Sequence, residues 1–250
     1  VRMNQMVSRV VETGLPLIYL NMVGGQDDQV FDGGSFALNP GGKLAIQMPV
    51  FDELISHVDL TRTDEGWRVD DGEKTIIPGQ FEQDYRVCVT ALRDYMSKTG
   101  FKKVLLGMSG GIDSALVATI AVDALGGENV RCVMLPSEYT SQGSLDDAKD
   151  CAERIGAEYN FVPISEGRDA ITNTLAPLFE GLEADVTEEN IQSRLRGLLL
   201  MAMSNKFGSM LLTTGNKSEV AVGYATIYGD MSGGYNPIKD MYKVRVFEVC

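Results

Sequence analysis

The chain has 250 residues, 44% of them hydrophobic and 23% charged, with a formal net charge of −13. That is enough for one large domain or two small ones, in a balance ordinary for a globular protein. The acidic excess excludes a general nucleic-acid binder, which needs clustered lysine and arginine, and no apolar run reaches the roughly 18 residues of a membrane helix.

The opening VRMNQMVSRVVETG lacks the long apolar core of a secretory signal. From there to Leu60 the pieces LPLIYLNMV, GGSFALNP and GKLAIQMPVF read as consecutive strands, punctuated by Gly24-Gly25, Gly33-Gly34 and Pro40-Gly41-Gly42, with a hairpin around Asn39 to Gly42. Residues 61–80, TRTDEGWRVDDGEKTIIPGQ, are polar and turn-rich and are expected to be a linker. The expected domains are therefore residues 1–60 and 81–250.

From Phe81 the pattern alternates. Residues 81–100 suit an amphipathic helix closed by Gly100. A short buried strand (103–108), a helix (114–127), a strand (130–136), a helix (144–156) and a strand (157–164) follow. Residues 169–182 are helical with a break near Pro177; a long helix (189–208) and a strand (209–215) come next. Strands separated by helices of this length predict an α/β fold with a parallel, doubly wound sheet and flanking helices. Such sheets hold ligands at the carboxyl ends of their strands.

One such end carries SGGIDS, Ser109 to Ser114, between a strand and a helix. Glycine lets a backbone approach a phosphate, and the free N–H groups opening a helix face an anion there. Ser109 and Ser114 add hydroxyl donors; Asp113 makes sense if Mg²⁺ bridges it to phosphate oxygens. The loop fits neither GxxxxGK[ST] nor GxGxxG. The plain alternative is a tight turn with a capping serine. Cys88, Cys132, Cys151 and Cys250 show no CxxC spacing, and with the single histidine, His57, they make no zinc set. They read as incidental thiols in a reducing cytoplasm, and His57 as structural.

A hydrophobic strand running into SGGIDS resembles the pyrophosphate loop of the ATP pyrophosphatases, which cleave ATP between the α and β phosphates. Within that group, DVTEENIQSRLRG, LPSEYTSQGSLDDAKDCAERIG and LLTTGNKSEVAVGYATIYGDMSGGYNPIKD are similar to the glutamine-dependent NAD synthetases. ETGLPLIYLNMVGGQDDQVFDGGSF resembles the last strands of their nitrilase-like glutaminase domain, so the likeness covers nearly the whole chain. The resemblance implies an adenine nucleotide alpha hydrolase-like synthetase domain, preceded by strands of a truncated nitrilase-like sandwich. It implies a ligase that amidates deamido-NAD to NAD with ATP and Mg²⁺, using ammonia from glutamine and releasing AMP and pyrophosphate. It also implies a cytoplasmic homo-oligomer, a dimer through the synthetase domain or larger, with no nucleic-acid or membrane partner.

Carried over residue by residue, the resemblance implies ATP contacts at Gly107, Met108, Ser109, Gly110, Gly111, Ile112, Asp113, Ser114 and Thr214. It implies deamido-NAD contacts at Asn190, Arg194 and Glu219, and a metal held by Asp113 and Glu219. Asn190 and Arg194 are four apart and share a helix face; an ordinary charged face is the alternative. Tyr228 to Gly234, YGDMSGG, is expected to be a mobile loop closing over substrate with Asp230 inside, or else a plain connection. The family's Glu-Lys-Cys glutaminase triad is expected to be absent, so this span is not expected to hydrolyse glutamine. Rival expectations are another ATP pyrophosphatase such as a GMP synthetase, a nitrilase-type amidohydrolase with an ATP-sensing module, and a structural ATP-binding protein.

Overall fold

Strand and helix order follow from where the apolar runs stop. The computed structural model describes residues 2–250. It divides into two compact units, the first running to Ala91 and the second from Leu92 to Cys250.

The first unit opens with a helix, α1 (Arg2–Thr13), ahead of the segments expected as strands. Its Met3, Met6, Val7 and Val10 recur at helical spacing and pack with Phe36 and Leu38. Strands β1 (Leu17–Tyr19), β4 (Phe36–Asn39) and β5 (Lys43–Gln47) form an antiparallel sheet in the order β1-β4-β5, with β4 and β5 joined by the Pro40–Gly42 turn. The hairpin expected around that turn is present. A second hairpin joins β2 (Val23–Gln26) to β3 (Gln29–Asp32).

The expected linker 61–80 is corrected in its first half. Strands β6 (Leu60–Thr63) and β7 (Gly66–Val69) pair as a hairpin. Val69 is buried with Ala37, Ala45 and Ile46. Buried Asn39 fastens it, donating to the Val69 carbonyl and accepting from the Val69 N–H, both at 2.8 Å. Helix α2 (Gln80–Thr99) follows, and the division between units falls inside it rather than at residue 81.

The second unit alternates as expected. Strands β8 (Val104–Gly107), β9 (Val130–Met134), β10 (Glu158–Phe161) and β11 (Met210–Leu212) form one parallel sheet in the order β10-β9-β8-β11. Helices α3 (Ile112–Leu125), α4 (Gln142–Arg154), α5 (Ser165–Leu175) and α6 (Val186–Phe207) make the crossovers; α7 (Lys217–Val222) and α8 (Lys243–Val249) close the unit. The break near Pro177 is a short 3-10 turn, Ala176–Leu178. Helix α3 is apolar nearly all round and buries Leu116, Val117, Ile120 and Ala121. Helices α5 and α6 supply Ile171, Leu195 and Leu199 to a cluster around Leu105, Val133 and Leu211. Leu105 is fully buried. Leu105→Ala is expected to cost about 2–5 kcal/mol, read from urea unfolding of this unit.

Among the described residues none of the four cysteines is in a disulfide, and Cys88 and Cys132 are buried. Burial pushes the Cys132 thiol up to about 12, which keeps it protonated and inert at neutral pH.

Candidate active site

The strand order fixes where a ligand sits. The chain steps outward from β8 to β9 to β10, then returns to place β11 on the other side of β8. The loops after β8 and β11 therefore leave in opposite senses and open a crevice at the carboxyl ends. A cavity of about 620 Å³ lies there, lined by Gly107 to Ser109 after β8, Met134 and Leu135 at β9, and Thr213 and Thr214 after β11. Helix α6 forms one wall through Asn190, Ser193, Arg196 and Gly197, and Thr226, Gly229 and Asp230 form another. Gly107, Met108, Ser109, Thr214, Asn190 and Asp230 thus line one cavity.

The rest of the glycine loop stands beside the cavity rather than in its lining. Gly110 has φ +80° and faces the start of α4. Gly111 is the residue before α3 and no side chain caps that helix, contrary to the capping serine of the plain-turn alternative. The opening N–H groups of α3 are left for another acceptor. Ser114 is buried and turned into the loop: its hydroxyl donates to the Gly111 carbonyl at 2.9 Å and accepts from the Ser109 N–H at 3.2 Å. It shapes the turn rather than offering a free donor.

Asp113 projects the other way. Its Oδ1 accepts from Asn216 Nδ2 at 3.2 Å, and its Oδ2 is paired with the Lys243 ammonium on α8. Asn216 is 1% exposed and caps α7, accepting from the Glu219 N–H at 3.1 Å. Glu219 Oε2 returns the bond, accepting from the Asn216 N–H at 2.9 Å. The two carboxylates expected to share a metal therefore both accept from Asn216, Asp113 from its side-chain amide and Glu219 from its backbone N–H. Lys243 was not anticipated, since 130 residues separate it from Asp113.

Among the described residues no group of three or more His, Cys, Asp or Glu side chains gathers as a metal cluster. A magnesium ion does not require one, because it takes one or two carboxylates and completes its shell with water and phosphate. Asp113 and Glu219 are donors of that type, and the ammonium standing on Asp113 marks a position that favours positive charge.

Residues 223–234 are seated on α6 rather than free. Thr226 Oγ1 donates to Asn190 Oδ1 at 3.1 Å, the Asp230 N–H donates to Ser193 Oγ at 3.2 Å, and Arg194 Nε donates to the Ile227 carbonyl at 3.2 Å. Asp230 Oδ1 in turn accepts from the Thr226 N–H at 2.7 Å. A Cβ on Gly197 would stand 2.8 Å from the Gly229 carbonyl oxygen, so backbone meets backbone here. Arg194 is exposed and is not in the cavity lining, whereas Asn190 and Arg196 are.

The NAD synthase family model matches residues 85–250. A glutamine-dependent NAD(+) synthetase of Rhodobacter capsulatus is 65% identical over 243 residues, 97% of this chain and 44% of the relative. One from Thermotoga maritima is 45% identical, covering 93% of this chain and 46% of its own length. The chain thus spans about half the length of the curated relatives it matches. The structure of a glutamine-dependent NAD+ synthetase from Acinetobacter baumannii in complex with ADP aligns at TM-score 0.95 and 45% identity, over 99% of this chain and 47% of that one. An NH3-dependent NAD synthetase from Campylobacter jejuni aligns at TM-score 0.63 and 30% identity, over 69% of this chain and 72% of that one.

Proposed function

The chain belongs to the NAD synthase family, and on that premise we propose that it is the ATP-dependent amidating part of a glutamine-dependent NAD synthetase. The observation that carries this is the cavity at the sheet's switch point, which joins the loop after β8 to Asn190 and Thr214, with the uncapped start of α3 following that loop in the chain. Phosphate oxygens of ATP lie over the backbone N–H groups of the glycine loop, which act as preorganised donors with the helix dipole behind them. Thr214 and the Met108–Ser109 backbone bound the nucleotide, while Asn190 reaches deamido-NAD.

The nicotinate carboxylate oxygen attacks the α-phosphorus of ATP, the bond to the bridging oxygen breaks, and pyrophosphate leaves. Ammonia then attacks the acyl carbon, loses a proton, and displaces AMP. The chain supplies no nucleophile; it positions the two reactants and stabilises charge on the departing pyrophosphate. Asp113 and Glu219 would hold magnesium, which neutralises phosphate charge when bound. For Asp113 to do so, Lys243 must yield Oδ2, and Arg194 must leave the Ile227 carbonyl to touch the dinucleotide.

The likeness to glutamine-dependent enzymes runs through the first unit, whereas the ammonia-dependent one covers 69% of the chain. That supports reading residues 1–60 as the end of a glutaminase domain that feeds ammonia to this site. Among the described residues no helix is long and apolar enough to cross a membrane; a cytoplasmic homo-oligomer belongs to the same reading.

The test is release of AMP and pyrophosphate from ATP with ammonium chloride as donor. Release is expected only when deamido-NAD is present, with one AMP per NAD formed. AMP release indifferent to deamido-NAD, or ADP as the product, contradicts the reading.

A further inference from the structure

Arg196 plays no part in the reading above, yet it is the one cationic side chain among the residues lining the cavity. The carboxylates lining the same space are Glu189 and Asp230, and among the described residues Arg196 pairs with neither. Its one hydrogen bond runs from Nε to the Leu135 carbonyl at 3.0 Å, at the carboxyl end of β9. Arg168 provides the contrast: its side chain, 17% exposed, is gripped by Glu138 Oε1 and Asp169 Oδ1, each at 2.6 Å. Arg168 is held by two acids; Arg196, with two acids in the same cavity, is paired with neither.

A guanidinium carries five N–H donors and stays charged, so one carbonyl leaves most of its hydrogen-bonding capacity unused. Burial also pushes the Arg196 guanidinium below its ordinary pKa, with desolvation as the cause. A cation removed from water without a counter-charge is costly, and the cost is offset when an anion arrives. Fixing Nε on Leu135 orients the guanidinium plane and leaves the two terminal nitrogens as a fork, the geometry that takes a phosphate through two parallel bonds. Asn190 lies on the same helix and lines the same space. A ligand touching Asn190 is therefore within the same enclosure as this fork.

We infer that Arg196 is a further substrate-binding residue, whose guanidinium fork takes a phosphate oxyanion of a ligand in the cavity while its Nε holds the end of β9. The inference rests on the amidation reading for the identity of the ligands. The phosphate belongs either to ATP or to the dinucleotide, and the experiment separates them.

Steady-state kinetics of R196Q and R196K are measured with ATP and deamido-NAD varied in turn, alongside calorimetric titration of each ligand alone. Glutamine can still donate an N–H to the Leu135 carbonyl, so R196Q removes the charge and keeps a strut. R196Q is expected to raise KM and Kd for one of the two substrates by roughly 10- to 100-fold, the scale of a charge-assisted hydrogen bond. The melting temperature and the constants for the other substrate should stay close to wild type. R196K is expected to fall between, because it restores charge without the fork. The substrate whose constants move is the source of the phosphate.

Folded R196Q with both KM values within twofold of wild type overturns the inference, as does R196K no better than R196Q. Where R196Q does not fold, R196K decides: a several-fold rise in one KM at unchanged melting temperature supports the inference, and unchanged constants overturn it. The titrations need no turnover. Ligand bound by wild type without AMP formation would sink the amidation reading and still leave Arg196 to be judged on affinity.

Discussion

Gly110→Ala is expected to lower kcat/KM by roughly 100-fold or more, the penalty of displacing reacting groups by about an ångström. The backbone at Gly110 has φ +80°, a region that L-residues enter at a cost. The added Cβ would also run into the Ser144 carbonyl, standing 2.9 Å from Ser144 Cα and 3.0 Å from its carbonyl carbon. These are main-chain atoms of α4 and cannot rotate aside. Either the loop or the start of α4 must shift, and the N–H groups aimed at phosphate shift with it. Gly111 differs: its φ is −88°, and a Cβ would meet only the Ser109 hydroxyl at 3.2 Å. Gly111→Ala should keep much of the activity, and a melting curve on both variants separates misplacement from unfolding. Gly110→Ala working at wild-type speed in folded protein would remove the loop from the phosphate site.

Asp113→Asn is the second large effect. Asp113 accepts from both Asn216 and Lys243, and an asparagine there must turn its own amide donors toward one of them. The side chain is 17% exposed, so water satisfies little of the mismatch. If Asp113 seats magnesium, the Mg²⁺ concentration for half-maximal pyrophosphate release should rise roughly 10- to 100-fold. A magnesium titration of wild type and D113N measures it directly. An unchanged midpoint with a lowered kcat would assign Asp113 to positioning Lys243 and Asn216 instead.

What could be read from the chain follows from how local each signal is. Strand β8 is a short apolar run closed by Gly107 and β9 is one closed by Pro136, so in each the run and its stop lie within a few residues of each other. Residues 103–108 and 130–136 were accordingly placed within a residue or two of β8 and β9. Helix α1 is equally legible, since Met3, Met6, Val7 and Val10 keep helical spacing. Hairpin β6–β7 is not, because β6 is exposed along its length and only Val69 is deeply buried, leaving little alternation to see.

At the site, the family resemblance pointed to Asn190 on α6 and to Thr214 after β11, and both line the cavity. The choice between Arg194 and Arg196 was not legible. Residues two apart on a helix point to nearly opposite sides, so one arginine at most faces the cavity. Which side that is depends on where β9 and β11 end in space, information no helical motif contains. The Asp113–Lys243 pair is hidden for the same reason, being made by tertiary packing alone.

Asn216 has a bearing on how the protein ages. Hydrolysis of its amide would exchange one nitrogen for oxygen and set a third carboxylate between Asp113 and Glu219. Spontaneous deamidation proceeds when the next residue's backbone nitrogen attacks the side-chain carbon. Here that nitrogen, on Lys217, donates to the Met241 carbonyl at 2.8 Å, and the amide is shut away from water. Storage damage at this position therefore begins only after the start of α7 has opened, and the tie between Lys217 and Met241 acts as a preservative for the chemistry next to it.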